Sequence, residues 1–261
     1  MFTEPFSEGT SYLHRADPRA KIVAAFVFTL AVAPLHTLPG GILALLLACA
    51  LLPLAALPLR KLLHRLAAIN IFTALLWLFL PFSTPGDPLA QLGPLTLTWQ
   101  GIGQASLITL KTNAVVVAFI ALAATSGIVT MGHALDALGA PRKLTLLFLF
   151  TWRYLHVIHQ EYTRLHTAAL VRGFVPRTDM RTYRTYAYMA AMVLVKSWDR
   201  AERVRRAMQL RGFNGQFYRL HSFRSTSGDR ALAAAIAITI TALLLTDYFA
   251  PHLLPNQLFA G

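Results

Sequence analysis

Long apolar runs alternate with short polar segments along the whole chain, and this pattern predicts membrane-spanning helices. A helix rises 1.5 Å per residue, so it crosses about 30 Å of hydrocarbon with roughly 20 apolar residues. Pro34 near the end of the first run is expected to kink its helix, and Pro53 lies inside the second. The five candidate runs are at about residues 20–38, 41–58, 65–82, 104–126 and 231–249.

Positive charge is confined to alternate segments between these runs. Lys and Arg occur before the first run, between the second and third, and above all between the fourth and fifth, where seventeen of the chain's 24 are found. The other connecting segments, and the tail after the fifth run, contain none. Because loops rich in Lys and Arg stay on the cytoplasmic side, we predict a cytoplasmic N-terminus and basic block, and a C-terminal tail outside the cell.

The basic block at 127–230 is too long for an unstructured loop and is predicted to fold as helices. Gly139 is expected to end a short first helix, and Thr178 or Asp179 is a suitable N-cap for the last one. The predicted helices are at 131–139, 142–172 and 179–211.

The fold class is therefore predicted to be all-α: an integral membrane protein with about five transmembrane helices and two long cytoplasmic helices. The predicted regions are a four-span region at 1–126, the cytoplasmic helices at 127–230, and a last span with an external tail at 231–261. Leu144–Phe150 is apolar on all sides, so we expect the start of the first long cytoplasmic helix to enter the membrane.

Composition agrees with a membrane protein. The 261 residues are 56% hydrophobic and only 13% charged, against about a quarter charged in soluble domains. The net charge of +13 would suit nucleic acid, but the cations lie in a few blocks between apolar runs, so no nucleic-acid partner is predicted. Cys49, the one cysteine, supports neither a disulfide nor a multi-cysteine metal site. The polar first 20 residues do not resemble a cleavable signal peptide.

The tripeptide Arg-Gly-Phe occurs twice in the basic block, once at the end of each long predicted helix. Gly173 and Gly212 are suited to the left-handed conformation that follows a helix, and Arg172 and Arg211 interact favourably with the negative end of the helix dipole. Capping explains the glycines. It does not explain why both helices end with the same three residues.

No catalytic residue, metal site or cofactor is predicted. The chain has no G-x-x-x-x-G-K-[ST] loop, so it is not expected to hydrolyse ATP. His156, His159 and His166 lie on one predicted helix, but no carboxylate completes a metal cluster there, and surface or packing roles are expected. Two other function classes fit less well. A membrane enzyme would need a nucleophile or a metal site, and none is evident. A stand-alone carrier would normally show internal repeats or broken helices, whereas here the polar residues are concentrated in one cytoplasmic block.

Lys111 lies well inside the fourth predicted span, whereas Lys21 and Arg65 stand at the edges of the first and third, and a charge near mid-bilayer costs about 2.5–3.5 kcal/mol on insertion scales. Two explanations are open. The side chain extends outward to water, or it contacts a partner subunit or Asp247 near the outer end of the fifth span.

Several stretches resemble the transmembrane T component of energy-coupling factor (ECF) transporters. In that family two cytoplasmic helices end in an Ala-Arg-Gly signature. Here Arg172-Gly173 and Arg211-Gly212 match it, and Val171 and Leu210 replace the alanines. The opening HRADPRAKI is most similar to the cobalt/nickel, CbiQ-like branch. The matching stretches are HRADPRAKI, TWQGIGQASLITLK, GHALDALGAPRKLTLLFLFTWRYLHVIHQEYTRLHTAALVRGF and KSWDRAERVRRAMQLRGFNG.

The resemblance implies a non-catalytic scaffold in a prokaryotic inner membrane. Its two cytoplasmic helices would cross, and their ends, at Arg172-Gly173 and Arg211-Gly212, would dock into two cytoplasmic ATP-binding subunits. Those subunits would be joined to a membrane-embedded substrate-capture subunit. The branch implies cobalt or nickel uptake, a process tied to cobalamin biosynthesis, and a vitamin-specific importer is the alternative. The cargo would be chosen by the capture subunit.

Overall fold

A computed structural model describes residues 16–92, 95–213 and 227–253, together with Ser11 and Leu13. These residues form eight helices and one two-stranded hairpin, so the predicted all-α membrane fold is confirmed. The helices are α1 (Pro18–Val32), α2 (Leu38–Ala55), α3 (Leu59–Ser83), α4 (Trp99–Leu122), α5 (Ile128–Ala137), α6 (Arg142–Val171), α7 (Met180–Leu210) and α8 (Ser227–Leu253), and the strands are β1 (Pro88–Leu92) and β2 (Leu95–Thr98).

Three of the described helices, α2, α3 and α4, are long and apolar enough to cross a membrane. In α8 the apolar stretch is shorter, at Ala234–Asp247. Helix α1 has 15 residues and ends at Val32, well before the predicted end of the first run at residue 38. It stops there because Pro34 has no N–H to continue the hydrogen-bond ladder, although Ala33 still has a helical backbone and donates to Thr29 O at 3.0 Å. By contrast, α2 contains Pro53 and continues to Ala55.

The chain divides into two compact units. One, the membrane unit, contains α1 to α4, most of α5, and α8. Its core is rich in alanine, and Ala44, Ala48, Ala114 and Ala121 are all fully buried. Small side chains allow helix backbones to approach closely where lipid provides no hydrophobic driving force between helices.

The loop between α3 and α4 contains the antiparallel hairpin β1–β2, which the sequence analysis did not predict. Thr98 caps α4 by accepting from the N–H of Gly101 at 3.3 Å, and its hydroxyl donates to Thr84 O at 3.0 Å. A side chain at Gly101 would lie 2.7 Å from the Pro81 Cα atom, so glycine is needed where α4 begins against the end of α3.

The other unit, the α6–α7 unit, runs from Leu135 and contains α6 and α7. Their bounds agree closely with the predicted helices at 142–172 and 179–211. Asp179 is the N-cap of α7, and its carboxylate accepts from the N–H of Thr182 at 2.7 Å. A short connection joins the two helices, and α6 packs against α7 over a limited contact.

Candidate docking site at the Arg-Gly-Phe helix ends

Both Arg-Gly-Phe segments end their helices with the same hydrogen bonds. At the end of α6, Gly173 has a φ of +82° and donates to Leu170 O at 2.9 Å, while Phe174 N donates to Ala169 O at 3.0 Å. This pair of bonds is a Schellman motif, and it satisfies carbonyls that the helix end leaves without partners.

The end of α7 repeats this geometry. Gly212 has a φ of +75° and donates to Gln209 O at 3.0 Å, and Phe213 N donates to Met208 O at 3.0 Å. The arginines are C-caps with nearly equal backbone angles, φ −83° and ψ 12° at Arg172 and φ −88° and ψ 11° at Arg211. The repeated tripeptide thus produces the same local structure twice.

The side chains on either side of each glycine point to different environments. Arg172 and Arg211 are exposed, and neither guanidinium has a hydrogen bond or ion pair with any residue in the described part of the chain. The preceding residues are apolar and also exposed. Among the exposed large apolar side chains of the described residues, Leu210 at 89% and Val171 at 83% have the highest exposed fractions.

The two phenylalanines pack back onto the α6–α7 unit. Phe174 makes an edge-on contact with Tyr186 of α7, with ring centroids 5.6 Å apart, and Tyr186 stacks on His166 of α6 at 6.4 Å. Phe213 lines an apolar groove of about 600 Å³ with Phe150 and Met208. Each Phe therefore fixes its helix end while the preceding Arg remains accessible.

The surroundings of the two ends differ in polarity. Arg172 borders a mixed cavity of about 490 Å³ that Arg177, Asp179 and Arg181 also line. The groove beside Phe213 is lined mainly by apolar and aromatic side chains of α6 and α7. The two ends share a backbone geometry but offer different side chains to whatever contacts them.

Two glutamates form ion pairs on the basic surface. Glu161 of α6 accepts a hydrogen bond from Lys196 of α7, and Arg164 lies 3.8 Å from the same carboxylate. The hydrogen bond from Lys196 is the main reason that the pKa of Glu161 is lowered from its ordinary value.

Glu202 of α7 pairs with two arginines that follow it by one helical turn. It accepts from Arg205 at 2.7 Å and from Arg206 at 2.8 Å, and these hydrogen bonds lower its pKa to about 2. Glu161 and Glu202 therefore hold neighbouring cations in place, in contrast to Arg172 and Arg211.

The histidines of α6 do not come together as a metal site. His166 lies between Tyr162 and Tyr186, and His156 Nε2 is 2.9 Å from the side-chain nitrogen of Gln160. Within the described residues, no group of three His, Cys, Asp or Glu side chains is placed to hold a metal ion.

Lys111 lies apart from the helix ends, near the middle of α4. Its ammonium donates to Ala33 O and to Leu35 O, both at 2.7 Å. Asp247 of α8 does not pair with it directly and instead binds the same turn. Contact between Lys111 and a partner subunit stays a prediction.

Val171 and Leu210 were missed as functional candidates because they were treated only as departures from the family's alanine. Their position directly before each arginine was visible in the sequence, but their exposure was not. A long helix end can pack its last apolar residue inward, and only the tertiary structure shows that these two face solvent.

The sequence relationships agree with this geometry. The family model described as "CbiQ: Cobalt transport protein" matches residues 9–221. The chain belongs to the CbiQ family. The match of the CbiQ model includes all of α1 to α7 and both Arg-Gly-Phe segments.

Curated relatives cover most of this CbiQ-family chain. The energy-coupling factor transporter transmembrane protein EcfT of Heliobacterium modesticaldum is 24% identical over 245 residues, which is 90% of this chain and 92% of the relative. EcfT of Brevibacillus brevis is 26% identical, covering 89% and 92%. Protein ABCI12, chloroplastic, of Arabidopsis thaliana is 24% identical, covering 93% and 73%. These relatives indicate the membrane component of an ECF transporter, and they indicate no enzyme family.

Proposed function

We propose that this chain is the coupling subunit of an ECF-type importer, and that α6 and α7 carry the motion of two ATP-binding subunits to a membrane-embedded substrate-capture subunit. Arg172-Gly173 would dock into one ATP-binding subunit and Arg211-Gly212 into the other. The observation that supports this proposal is the pairing, at both helix ends, of an exposed arginine without a partner among the described residues and a neighbouring apolar side chain that is more than four-fifths exposed.

Such an end has the chemistry of a helix-in-groove contact. Val171 or Leu210 would enter an apolar groove, and the arginine would form two parallel hydrogen bonds with a carboxylate of the partner. The Schellman geometry fixes the direction of each arginine relative to its helix axis, so a movement of the partner would be transmitted along α6 or α7.

We expect Arg172→Ala and Arg211→Ala each to weaken assembly, and the double variant to lose ATP-binding subunits during purification. Breaking a buried interfacial charge pair costs roughly 2–5 kcal/mol, which is more than tenfold in affinity. The measurement is co-purification of ATP-binding subunits at matched membrane levels. Lysine at these positions should rescue poorly because it lacks the planar fork of arginine.

Arg60→Ala is the control, because Arg60 is an exposed arginine in the first turn of α3, outside the unit that contains both helix ends. It should keep full assembly. Full assembly in the Arg172→Ala/Arg211→Ala double variant would leave the Arg-Gly-Phe segments as helix caps and would contradict the docking proposal.

We further propose cobalt or nickel ions as the cargo, because the family model that matches 9–221 is described as a cobalt transport protein. Cells that express the complete transporter should accumulate one of these metals, and the Arg172→Ala/Arg211→Ala variant should not. Uptake of a vitamin without metal accumulation would identify the vitamin-specific alternative.

A further inference from the structure

The turn between α1 and α2, residues 33–37, lies beside the middle of α4 and not beyond its end. Its carbonyls contact Lys111, which follows Trp99 by twelve residues, or about 18 Å along the axis of α4. A side chain built at Gly41, just inside α2, would lie 3.1 Å from Leu107. The hairpin of α1 and α2 therefore ends well short of the outer end of α4.

The length of α1 agrees with this placement. Its 15 residues span only about 22 Å, which is less than the roughly 30 Å of hydrocarbon in a bilayer. A turn at that depth is costly, because a backbone N–H or C=O without a partner cannot bond to water inside hydrocarbon.

The N–H groups of this turn all have partners in the structure. Within the chain, Ala33 N donates to Thr29 O and Leu35 N donates to Val32 O, while Pro34 has no N–H. The two remaining N–H groups, of His36 and Thr37, both donate to one carboxylate oxygen of Asp247, at 3.1 and 3.2 Å.

Two charged side chains from helices that are distant in the sequence thus bind the carbonyls and the N–H groups of one turn. Lys111 of α4 takes the carbonyls of Ala33 and Leu35, and Asp247 of α8 takes the following N–H groups and the Thr37 hydroxyl at 2.9 Å. Their opposite charges also attract each other across the turn. Neither charge is stranded in the membrane, although the two do not touch.

Gly40 leaves the space that this arrangement needs. A Cβ atom there would lie 3.0 Å from the Thr37 hydroxyl and 3.7 Å from the Asp247 carboxylate. The Thr37 hydroxyl also accepts from Gly40 N at 3.3 Å, so it caps α2 and binds Asp247 at the same time.

We propose that residues 33–37 form an intramembrane turn, and that Lys111 and Asp247 are positioning residues that together stabilise its backbone and hold the C-terminal helix α8 against the α1–α2 hairpin. The polarity of the turn fixes which charge goes where. A lysine can only donate and a carboxylate can only accept, so the two residues are not interchangeable, as they would be in a simple ion pair.

The depth of the turn is tested without altering Lys111 or Asp247. A nitroxide label is attached at His36→Cys in full-length protein that carries Cys49→Ala and is reconstituted in liposomes. The His36 side chain is exposed, and this residue binds Asp247 only through its backbone N–H. It should collide with oxygen more than with a water-soluble nickel chelate, as should Leu46→Cys in α2. Behaviour like that of Asp87→Cys in the α3–α4 loop would place the turn in water and overturn the proposal.

The stabilising roles of Lys111 and Asp247 are tested by measuring the thermal unfolding midpoint of the purified full-length chain. Lys111→Met and Asp247→Asn should each lower the midpoint, by about 5 °C or more for Lys111→Met. Asp247→Asn should raise the midpoint in the Lys111→Met background, because it removes a carboxylate that has lost its compensating charge. A further fall of the midpoint in that double variant would contradict the proposed energetic interaction between Lys111 and Asp247.

The exchange Lys111→Asp/Asp247→Lys should not recover stability, because it presents a carboxylate to carbonyls and an ammonium to N–H groups. Recovery to the wild-type midpoint would indicate a direct ion pair and would contradict the proposal that each residue binds the backbone of the turn. Lys61→Met, at an exposed lysine of α3, is the control and should leave the midpoint unchanged.

Discussion

Two positions just past the ends of α6 and α7 have a backbone conformation that is unfavourable for residues with a side chain. Gly173 and Gly212 have φ near +80°, and a Cβ atom at either would meet nothing within 4 Å. Any penalty for alanine there is therefore conformational and not steric. The same two residues direct the arginines that we propose as docking groups.

We expect Gly173→Ala and Gly212→Ala each to destabilise the α6–α7 unit by about 1 kcal/mol, because alanine is strained at positive φ. The matched control is Gly103→Ala. Gly103 lies inside α4 with equally open space around it, so alanine there should be neutral or stabilising by up to about 1 kcal/mol. Thermal midpoints of the full-length variants distinguish the two cases, and equal effects at all three positions would contradict the argument.

At the scale of elements, the contact between α6 and α7 depends on few side chains. Glu161 and Lys196 link the two helices directly, and Phe174 adds an aromatic contact to Tyr186. Most of the remaining surface of both helices is exposed, including Trp198 at 75% and Leu194 at 72%. This ion pair is therefore one of the few direct links that set the relative placement of the ends of α6 and α7.

The ion pair predicts a pH dependence. Hydrogen bonding from Lys196, with the charges of Lys196, Arg164 and Arg200, lowers the pKa of Glu161 below 4.5. A lowered folded-state pKa contributes stability that is present above the unfolded value and is lost as pH falls through the folded value. We expect wild-type protein to lose thermal stability below about pH 4.5.

Glu161→Gln should be less stable than wild type at pH 7 and should show a smaller further loss on acidification. Glu202→Gln is the control for a pair within one helix, because Glu202 binds only arginines of α7 among the contacts described. It should leave the spacing of spin labels at 174 and 213 unchanged, whereas Glu161→Gln should broaden it. An unchanged label distance in Glu161→Gln would contradict the linking role.

At the scale of the whole molecule, the alternation of charged segments predicts the membrane topology. Single cysteines at 86–90 and after 252 should react with a membrane-impermeant reagent from outside, and cysteines at 62–64 or 176–180 only from inside. Cys49→Ala provides the background, since Cys49 is exposed. Labelling of 176–180 from outside would overturn both the topology and the docking proposal, because ATP-binding subunits are cytoplasmic.

Local sequence patterns determined most of the elements. The apolar runs and the 3.6-residue periodicity placed α2 to α4 and α6 to α8, and the glycines marked the helix ends at Gly139, Gly173 and Gly212, all of which have positive φ. These features depend on residues within a few positions of each other, so the sequence alone expresses them. The family resemblance was visible for the same reason, since its motifs are contiguous.

Long-range partners were decided by the tertiary structure. Lys21, predicted as one of the cations flanking the first span, is 1% exposed and donates to Leu13 O at 2.8 Å. Lys111 binds carbonyls 76 and 78 positions away, and Asp247 binds N–H groups about 210 positions away. No periodicity encodes such pairs, because they form only when helix packing brings a charged side chain to a backbone segment that is distant in the sequence.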